Sequence, residues 1–99
     1  MNHGRDDILA ALRENREALR RFGVRRIGLF GSAARGEAAE TSDLDFLVDL
    51  EPKSFDAYMG LKEFLETLLA CPVDLVLRET IKPRLRDRIL KEVVDVPGL

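Results

Sequence analysis

The stretch that decides the fold reads DLDFLVDL at residues 43–50. Its alternating side chains are typical of a β-strand that is buried on one face. The buried face would carry Leu44, Phe46, Val48 and Leu50, and the other face would carry Asp43, Asp45 and Asp49. Carboxylates at positions i and i+2 of a strand lie about 7 Å apart, which is close enough for both to bind one hard cation such as Mg²⁺.

The residues before this strand supply context, because an Asp-x-Asp pair by itself is more often a solvated strand face. A short β-prone run occupies residues 24–30, and GSAARG follows at residues 31–36. We predict a short helix opening at residues 33–35, so that backbone N–H groups at the turn could receive a phosphate. Gly31 allows close approach, Ser32 adds a hydroxyl donor and Arg35 could reach phosphate oxygens. Alone, this segment would be an ordinary strand-to-helix turn.

Apolar residues at helical spacing predict longer helices on both sides of this region. The first begins at Asp6 or Asp7, which would cap it, and ends at Gly23. Ser54 caps a second helix, which is broken at residues 71–72. The apolar stripe of the first helix is Ile8, Leu12, Leu19 and Phe22, and that of the second is Tyr58, Leu61, Leu65 and Leu68 with Phe64 and Leu69 beside it.

The end of the chain predicts a third strand at residues 73–77 and a last helix whose first turn contains Pro83. That helix would bury Leu85, Ile89 and Val93. The predicted order is α-β-α-β-α-β-α, with no internal repeat or linker. We therefore expect an α/β (α+β) fold in which a small mixed sheet is flanked by helices, with residues 1–99 forming one domain.

Composition agrees with one globular domain. The chain has 99 residues, of which 45% are hydrophobic and 34% charged, and its net charge is −2. Near neutrality disfavours non-specific nucleic-acid binding. The single cysteine, Cys71, cannot form an internal disulfide, which favours a reducing cytoplasm. No apolar segment reaches the roughly 18 residues of a membrane span or resembles a signal peptide.

Two stripes of basic residues lie at helical spacing near the two ends of the chain. They are Arg13, Arg16 and Arg20 in the first helix, and Arg84, Arg88 and Lys91 in the last. Such stripes are most often solvated helix faces. The alternative is docking to an acidic partner or a polynucleotide, so direct nucleic-acid binding stays open.

The joint pattern of G-S-x-A-R-G at residues 31–36 and S-D-x-D at residues 42–45 resembles the nucleotidyltransferase superfamily, which includes DNA polymerase β and kanamycin nucleotidyltransferase. The likeness is greatest to the minimal nucleotidyltransferases (MNT type) and extends over the whole chain. It implies a fold like the polymerase β palm. It also implies transfer of a nucleoside monophosphate from a nucleoside triphosphate to an acceptor hydroxyl, with two Mg²⁺ ions as cofactors.

The resemblance also assigns roles to residues. Asp43 and Asp45 would bind both metal ions and act in catalysis, and Asp74 matches the superfamily's third carboxylate. Asp74 lies between apolar neighbours in its strand, where an acid needs a cationic partner unless the strand lies at an edge and the acid faces water. The nucleotide-binding positions would be Gly31, Ser32, Arg35 and Ser42.

The minimal members of the superfamily are typically antitoxins whose partner toxin is an RNase of the HEPN class. For this chain the resemblance implies transfer of AMP from ATP to a hydroxyl of such a toxin, with tyrosine as the expected acceptor, within a hetero-oligomer. Larger relatives carry an acceptor-binding domain, which 99 residues do not accommodate, so a partner would supply the acceptor. The alternatives are an antitoxin that only masks its partner, and a transferase acting on an aminoglycoside-like small molecule.

Overall fold

Four strands form one mixed sheet in the computed structural model, which describes residues 4–36, 43–51, 54–97 and 99. The spatial order is β3-β2-β1-β4. Strand β2 pairs antiparallel with β1 and parallel with β3, and β4 pairs antiparallel with β1. The strands are β1 (Val24–Phe30), β2 (Leu44–Leu50), β3 (Val73–Leu77) and β4 (Val94–Asp95). The predicted mixed sheet is confirmed, whereas β4, two residues long, has no periodicity from which to predict it.

Helices flank this sheet, as predicted, and a 3-10 helix at Arg78–Thr80 follows β3. The α-helices are α1 (Arg5–Glu14), α2 (Arg16–Arg21), α3 (Phe55–Leu69) and α4 (Pro83–Glu92). None of the helices in the described ranges has the length and apolar composition needed to cross a membrane.

The first predicted helix is divided into α1 and α2 at Asn15, whose side-chain amide donates a hydrogen bond of 2.8 Å to the Ala11 carbonyl. Both parts still contribute to one buried stripe of Ile8, Leu12 and Leu19. The prediction that Asp6 or Asp7 caps this helix is wrong. Gly4 occupies the cap position, and both aspartates lie in the first turn, where the helix dipole favours negative charge.

Helix α3 begins as predicted, because the Ser54 hydroxyl accepts a hydrogen bond of 3.1 Å from the Ala57 N–H. Three leucines of its apolar stripe have no exposed surface, and the remaining stripe residues are half-buried. The fully buried leucines are Leu61, Leu65 and Leu69. The helix ends at Leu69, and the φ of 55° at Ala70 takes the chain out of helical geometry just before the predicted break at residues 71–72.

The main core lies on one face of the sheet, where the apolar face of β2 is buried together with leucines of α1, α2 and α3. The predicted buried set of Leu44, Phe46, Val48 and Leu50 is confirmed. Leu47 faces the opposite side with the aspartates, yet it is also buried, and so is Ile81 after the 3-10 helix. Neither belongs to the main core cluster, so the second face of the sheet is covered around Leu47.

Helix α4 contradicts its predicted packing. None of its residues is buried, and Leu85 is 43% exposed, so the prediction that this helix buries Leu85 is wrong. Ile89 and Val93 are only half-buried, and Val93 lies just beyond the end of the helix. Periodicity identified an amphipathic helix correctly, and Pro83 occupies its first turn as predicted. However, periodicity does not specify whether the chain supplies a surface for the apolar side.

Two leucines of opposite burial test this description of the core. Leu65→Ala is expected to lower the free energy of unfolding by about 2–5 kcal/mol, because it leaves a cavity in the main core. Leu85→Ala is the matched control and should change that free energy by only about 0.5 kcal/mol. Chemical denaturation followed by circular dichroism measures both values, and equal losses would contradict the exposure of α4.

Candidate active site

The parallel register of β2 and β3 brings two of the predicted carboxylates together. Asp45 is the register partner of Asp74, as Phe46 is of Leu75. Residues at the same level of adjacent strands project to the same face, and neighbouring strands lie about 4.8 Å apart. Asp43 directly precedes β2 and is exposed, while Asp45 is half-buried and Asp74 exposed. The sheet therefore places Asp45 beside Asp74, and Asp43 lies two positions before Asp45, just ahead of β2.

The charges of these residues affect one another. Burial raises the pKa of Asp45, the negative charges of Asp74 and Asp43 raise it further, and the positive charge of Arg35 opposes this shift. Four predicted site residues thus share one electrostatic environment. A cation placed among the carboxylates would relieve their mutual repulsion.

The segment after β1 forms a turn over residues 32–36, not the short helix predicted at residues 33–35. The Arg35 N–H donates to the Gly31 carbonyl at 3.3 Å, and the Gly36 N–H donates to the Ala33 carbonyl at 3.1 Å. Buried Ala33 and Ala34 anchor the turn in the core. A phosphate would therefore meet the N–H groups of a turn and not those of a helix end.

Gly31 is required by two features of this turn. Its φ is 75°, a conformation that L side chains rarely adopt. A Cβ at this position would also collide with a carboxylate oxygen of Asp45. The backbone of the turn therefore lies directly against one of the candidate metal-binding side chains, and a triphosphate bound to the turn would lie beside the carboxylates.

Two distant residues hold this turn, and sequence reasoning missed both. The Arg35 guanidinium donates a hydrogen bond of 3.1 Å to Glu92 at the end of α4, and Glu92 also lies 3.8 Å from Arg88. On the other side, the Arg5 guanidinium donates to the Ala34 carbonyl at 3.3 Å. The contact of Arg35 with Glu92 spans 57 positions of sequence, and that of Arg5 with Ala34 spans 29. No local pattern could therefore have indicated them.

Other residues considered in the sequence analysis lie elsewhere. Ser42 falls outside the described residues. Asp49 lies two residues beyond Leu47 in β2. It lines a separate cleft of about 330 Å³ with residues of α4 such as Arg86. Burial, followed by the charges of Asp43 and Glu66, raises the pKa of the Cys71 thiol, which favours its protonated, unreactive form.

The donor set fits a hard divalent cation in its chemistry, because all three side chains offer carboxylate oxygens. Within the parts of the chain that the structure describes, no three potential ligands are already gathered as a metal-binding group. Asp43, Asp45 and Asp74 would be the residues to hold such an ion.

This fold and the paired acids beside a glycine turn define the class of the protein. The family model described as "Nucleotidyltransferase domain" matches residues 12–96, and the chain belongs to that family. The chain is accordingly a nucleotidyltransferase.

Relatives make the resemblance more specific. Over 93 residues, covering 92% of this chain and 94% of the relative, the chain is 46% identical to "Protein adenylyltransferase MntA" of Thermococcus cleftensis. A solved structure described as a proposed minimal nucleotidyltransferase is 44% identical with a TM-score of 0.73, covering 87% of this chain and 93% of that one.

A further solved structure contains a "tri-AMPylated Shewanella oneidensis HEPN toxin in complex with MNT antitoxin". Its similarity to this chain is 25% identity with a TM-score of 0.62, covering 89% of this chain and 71% of that one.

Asp45→Asn tests the electrostatic cost of the site. The charged form of Asp45 is disfavoured in the folded protein, so its cost is complete above the raised pKa and disappears below the ordinary value of 3.8. Without divalent ions, Asp45→Asn should therefore increase the free energy of unfolding at pH 7, with the gain lost near pH 3. Asp87→Asn, on an exposed residue of α4, should give no such gain. A loss of stability in Asp45→Asn at pH 7 would contradict this account.

Gly31→Ala and Gly36→Ala separate backbone strain from collision. Their φ angles are 75° and 73°, so each alanine costs about 1–2 kcal/mol in backbone strain. Only Gly31→Ala also meets the Asp45 carboxylate, since nothing lies within 4 Å of a Cβ at Gly36. We expect Gly31→Ala to be the less stable variant and to lose binding of a nucleoside triphosphate, measured by fluorescence titration. Equal stability and binding in both variants would exclude the close approach.

Proposed function

We propose that this chain transfers AMP from ATP to a tyrosine hydroxyl on a HEPN-type toxin, and that it thereby acts as the toxin's antitoxin. The observation that carries the proposal is the placement of Asp45 beside both Asp74 and the Gly31 turn. This arrangement offers a triphosphate-binding turn and a cation-binding pair at one point. The relative named as a protein adenylyltransferase, which matches along 92% of this chain, supports a protein acceptor.

The residues of the site divide the chemistry among them. Asp43, Asp45 and Asp74 would hold two Mg²⁺ ions, which when bound supply charge neutralisation of the triphosphate and lower the pKa of the attacking hydroxyl. Gly31 and Ser32 orient the triphosphate so that the attacking oxygen, the α-phosphorus and the leaving oxygen are in line. Arg35, which Glu92 holds at 3.1 Å, would contact phosphate oxygens from the turn. Asp74 also helps to accept the proton of the hydroxyl.

In this reaction a bond forms between the acceptor oxygen and the α-phosphorus, and the bond from that phosphorus to the β-phosphate bridging oxygen breaks. Pyrophosphate leaves, and the N–H groups of the turn would stabilise the negative charge that develops on it. The energetic contribution of the protein is therefore mainly positioning and charge stabilisation.

The proposed setting is a hetero-oligomer with the toxin in the cytoplasm, with residues 1–99 acting as one catalytic domain. The solved complex of an MNT antitoxin with an AMPylated HEPN toxin supports the choice of partner. The free thiol of Cys71 suits a reducing compartment.

Incubation with ATP labelled on the α-phosphate, Mg²⁺ and the product of a neighbouring toxin gene tests the proposal. The label should appear on the toxin, at tyrosine by mass spectrometry, and chelation of divalent ions should abolish it. Asp43→Asn/Asp45→Asn should reduce labelling by at least about 100-fold, because it removes the proposed ligands of both ions. Asp56→Asn/Asp87→Asn, which removes the same charge from exposed helix positions, is the control and should retain activity.

Absence of label at every metal concentration, with the complex intact, would contradict the proposal. If Asp43→Asn/Asp45→Asn still neutralises the toxin, the chain acts by masking its partner. Labelling of an aminoglycoside in the absence of any partner would instead indicate a small-molecule transferase.

A further inference from the structure

Among the described residues, the third carboxylate lies on a strand that has a sheet partner on one side only. Strand β3 is at the end of the sheet and pairs with β2. Just before β3, the Pro72 carbonyl accepts a hydrogen bond of 3.1 Å from the Leu44 N–H, so this carbonyl points toward β2. Because backbone groups of successive strand residues point to alternate edges, those of Val73 and Leu75 point to the outer edge. No strand in the described part of the chain therefore pairs with the outer-edge groups on either side of Asp74.

Two side chains of α3 bind these outer-edge groups. The Val73 N–H donates a hydrogen bond of 2.9 Å to the Glu66 carboxylate. The Tyr58 hydroxyl donates a hydrogen bond of 2.6 Å to the Leu75 carbonyl. Val73 directly precedes Asp74 and Leu75 directly follows it. Helix α3 is therefore hydrogen-bonded to the backbone on both sides of Asp74.

The Glu66 carboxylate is held in place by a further contact within α3. Lys62, one helical turn from Glu66, lies 3.3 Å from the same carboxylate oxygen that accepts the Val73 N–H. The hydrogen bond from Val73, followed by that from Lys62, lowers the pKa of Glu66, so this acceptor is charged at neutral pH. Charged acceptors form stronger hydrogen bonds than neutral ones.

We propose that Glu66 and Tyr58 are positioning residues that fix Asp74 for metal binding by clamping the outer edge of β3. This inference rests on the proposed function, because it takes Asp74 to be a metal ligand. Within the described residues the exposed Asp74 side chain makes no hydrogen bond or ion pair that would orient it directly. Its place opposite Asp45 is therefore set by its backbone, and this backbone is held by β2 on one edge and by the clamp on the other.

The clamp is separable from the packing of α3. The helix is anchored in the core by Leu61, Leu65 and Leu69, none of which takes part in the two hydrogen bonds. Removing a clamp group should therefore leave the fold intact while allowing the edge strand to move. Residues that orient metal ligands commonly contribute about 10–100-fold to metal affinity or activity.

Four variants test the clamp. Tyr58→Phe removes one hydroxyl, and Glu66→Ala removes the acceptor of the Val73 N–H. Glu66→Gln keeps an oxygen acceptor and is the rescue variant, and Glu63→Ala, on an exposed glutamate of the same helix, is the control. Circular dichroism and unfolding midpoints establish that each variant is folded.

The readouts do not require turnover. Mn²⁺, used alone as a spectroscopic substitute for Mg²⁺, is titrated and followed by electron paramagnetic resonance. Tyr58→Phe and Glu66→Ala should weaken Mn²⁺ binding by about 10-fold, whereas Glu66→Gln and Glu63→Ala should stay close to the wild type. Hydrogen exchange of the Val73 amide should accelerate in Glu66→Ala and not in Glu66→Gln. The affinity for a nucleoside triphosphate without divalent ions, measured by fluorescence titration, should be unchanged, because the Gly31 turn lies on the opposite side of Asp45.

Unchanged Mn²⁺ binding in Tyr58→Phe and Glu66→Ala would overturn the proposal. An exchange rate of the Val73 amide that is the same in Glu66→Ala as in the wild type would also overturn it. A loss of nucleotide affinity as large as the loss of Mn²⁺ affinity would also overturn it, because the variants would then disturb the whole site and not Asp74 alone. If the wild type binds Mn²⁺ but labels no protein, the proposed function fails while the clamp is still tested by these readouts.

Discussion

The parallel pairing of β2 with β3 is the constraint on which the site depends. It sets Asp45 beside Asp74 although their charges repel, and burial adds to the cost of keeping Asp45 charged. The opposite face of the same strand supplies the compensating free energy, because its apolar side chains are almost wholly buried against the helices. The alternation of side chains along β2 therefore directs apolar residues into the core on one face. On the other face it places Asp45 beside Asp74, where the two carboxylates could bind a cation. This division explains why a chain of 99 residues can maintain such a site.

Sequence reasoning predicted those elements whose signals are local. Strict alternation identified β2, and the Ser54 cap with a leucine stripe identified α3. It did not predict the break at Asn15, where a side chain competes for a helix carbonyl. It also predicted burial for Leu85, which requires a packing surface that no periodicity can reveal. The two-residue strand β4 exists only because β1 offers it an edge.

The site shows the same division between local and distant information. The Gly31 turn and the Asp-x-Asp pair could be recognised from spacing, since each is a short segment with its own chemistry. The residues that hold them are remote in sequence: Glu92 binds Arg35, and Glu66 with Tyr58 binds the strand of Asp74. Glutamates are common on helix surfaces, and Tyr58 belongs to the apolar stripe of its helix, so only the tertiary structure gives these residues their roles. A site assembled from local motifs thus depends on contacts that a motif does not contain.

A crystal structure of the chain with Mg²⁺ and a non-hydrolysable ATP analogue would show where the metal ions and the triphosphate bind. We expect metal ions at about 2.1 Å from carboxylate oxygens of Asp43, Asp45 and Asp74, with the triphosphate against the turn that begins at Gly31. A metal and triphosphate bound elsewhere, for example in the cleft between Asp49 and Arg86, would contradict this expectation. So would a triphosphate at the turn with none of the three carboxylates coordinating a metal.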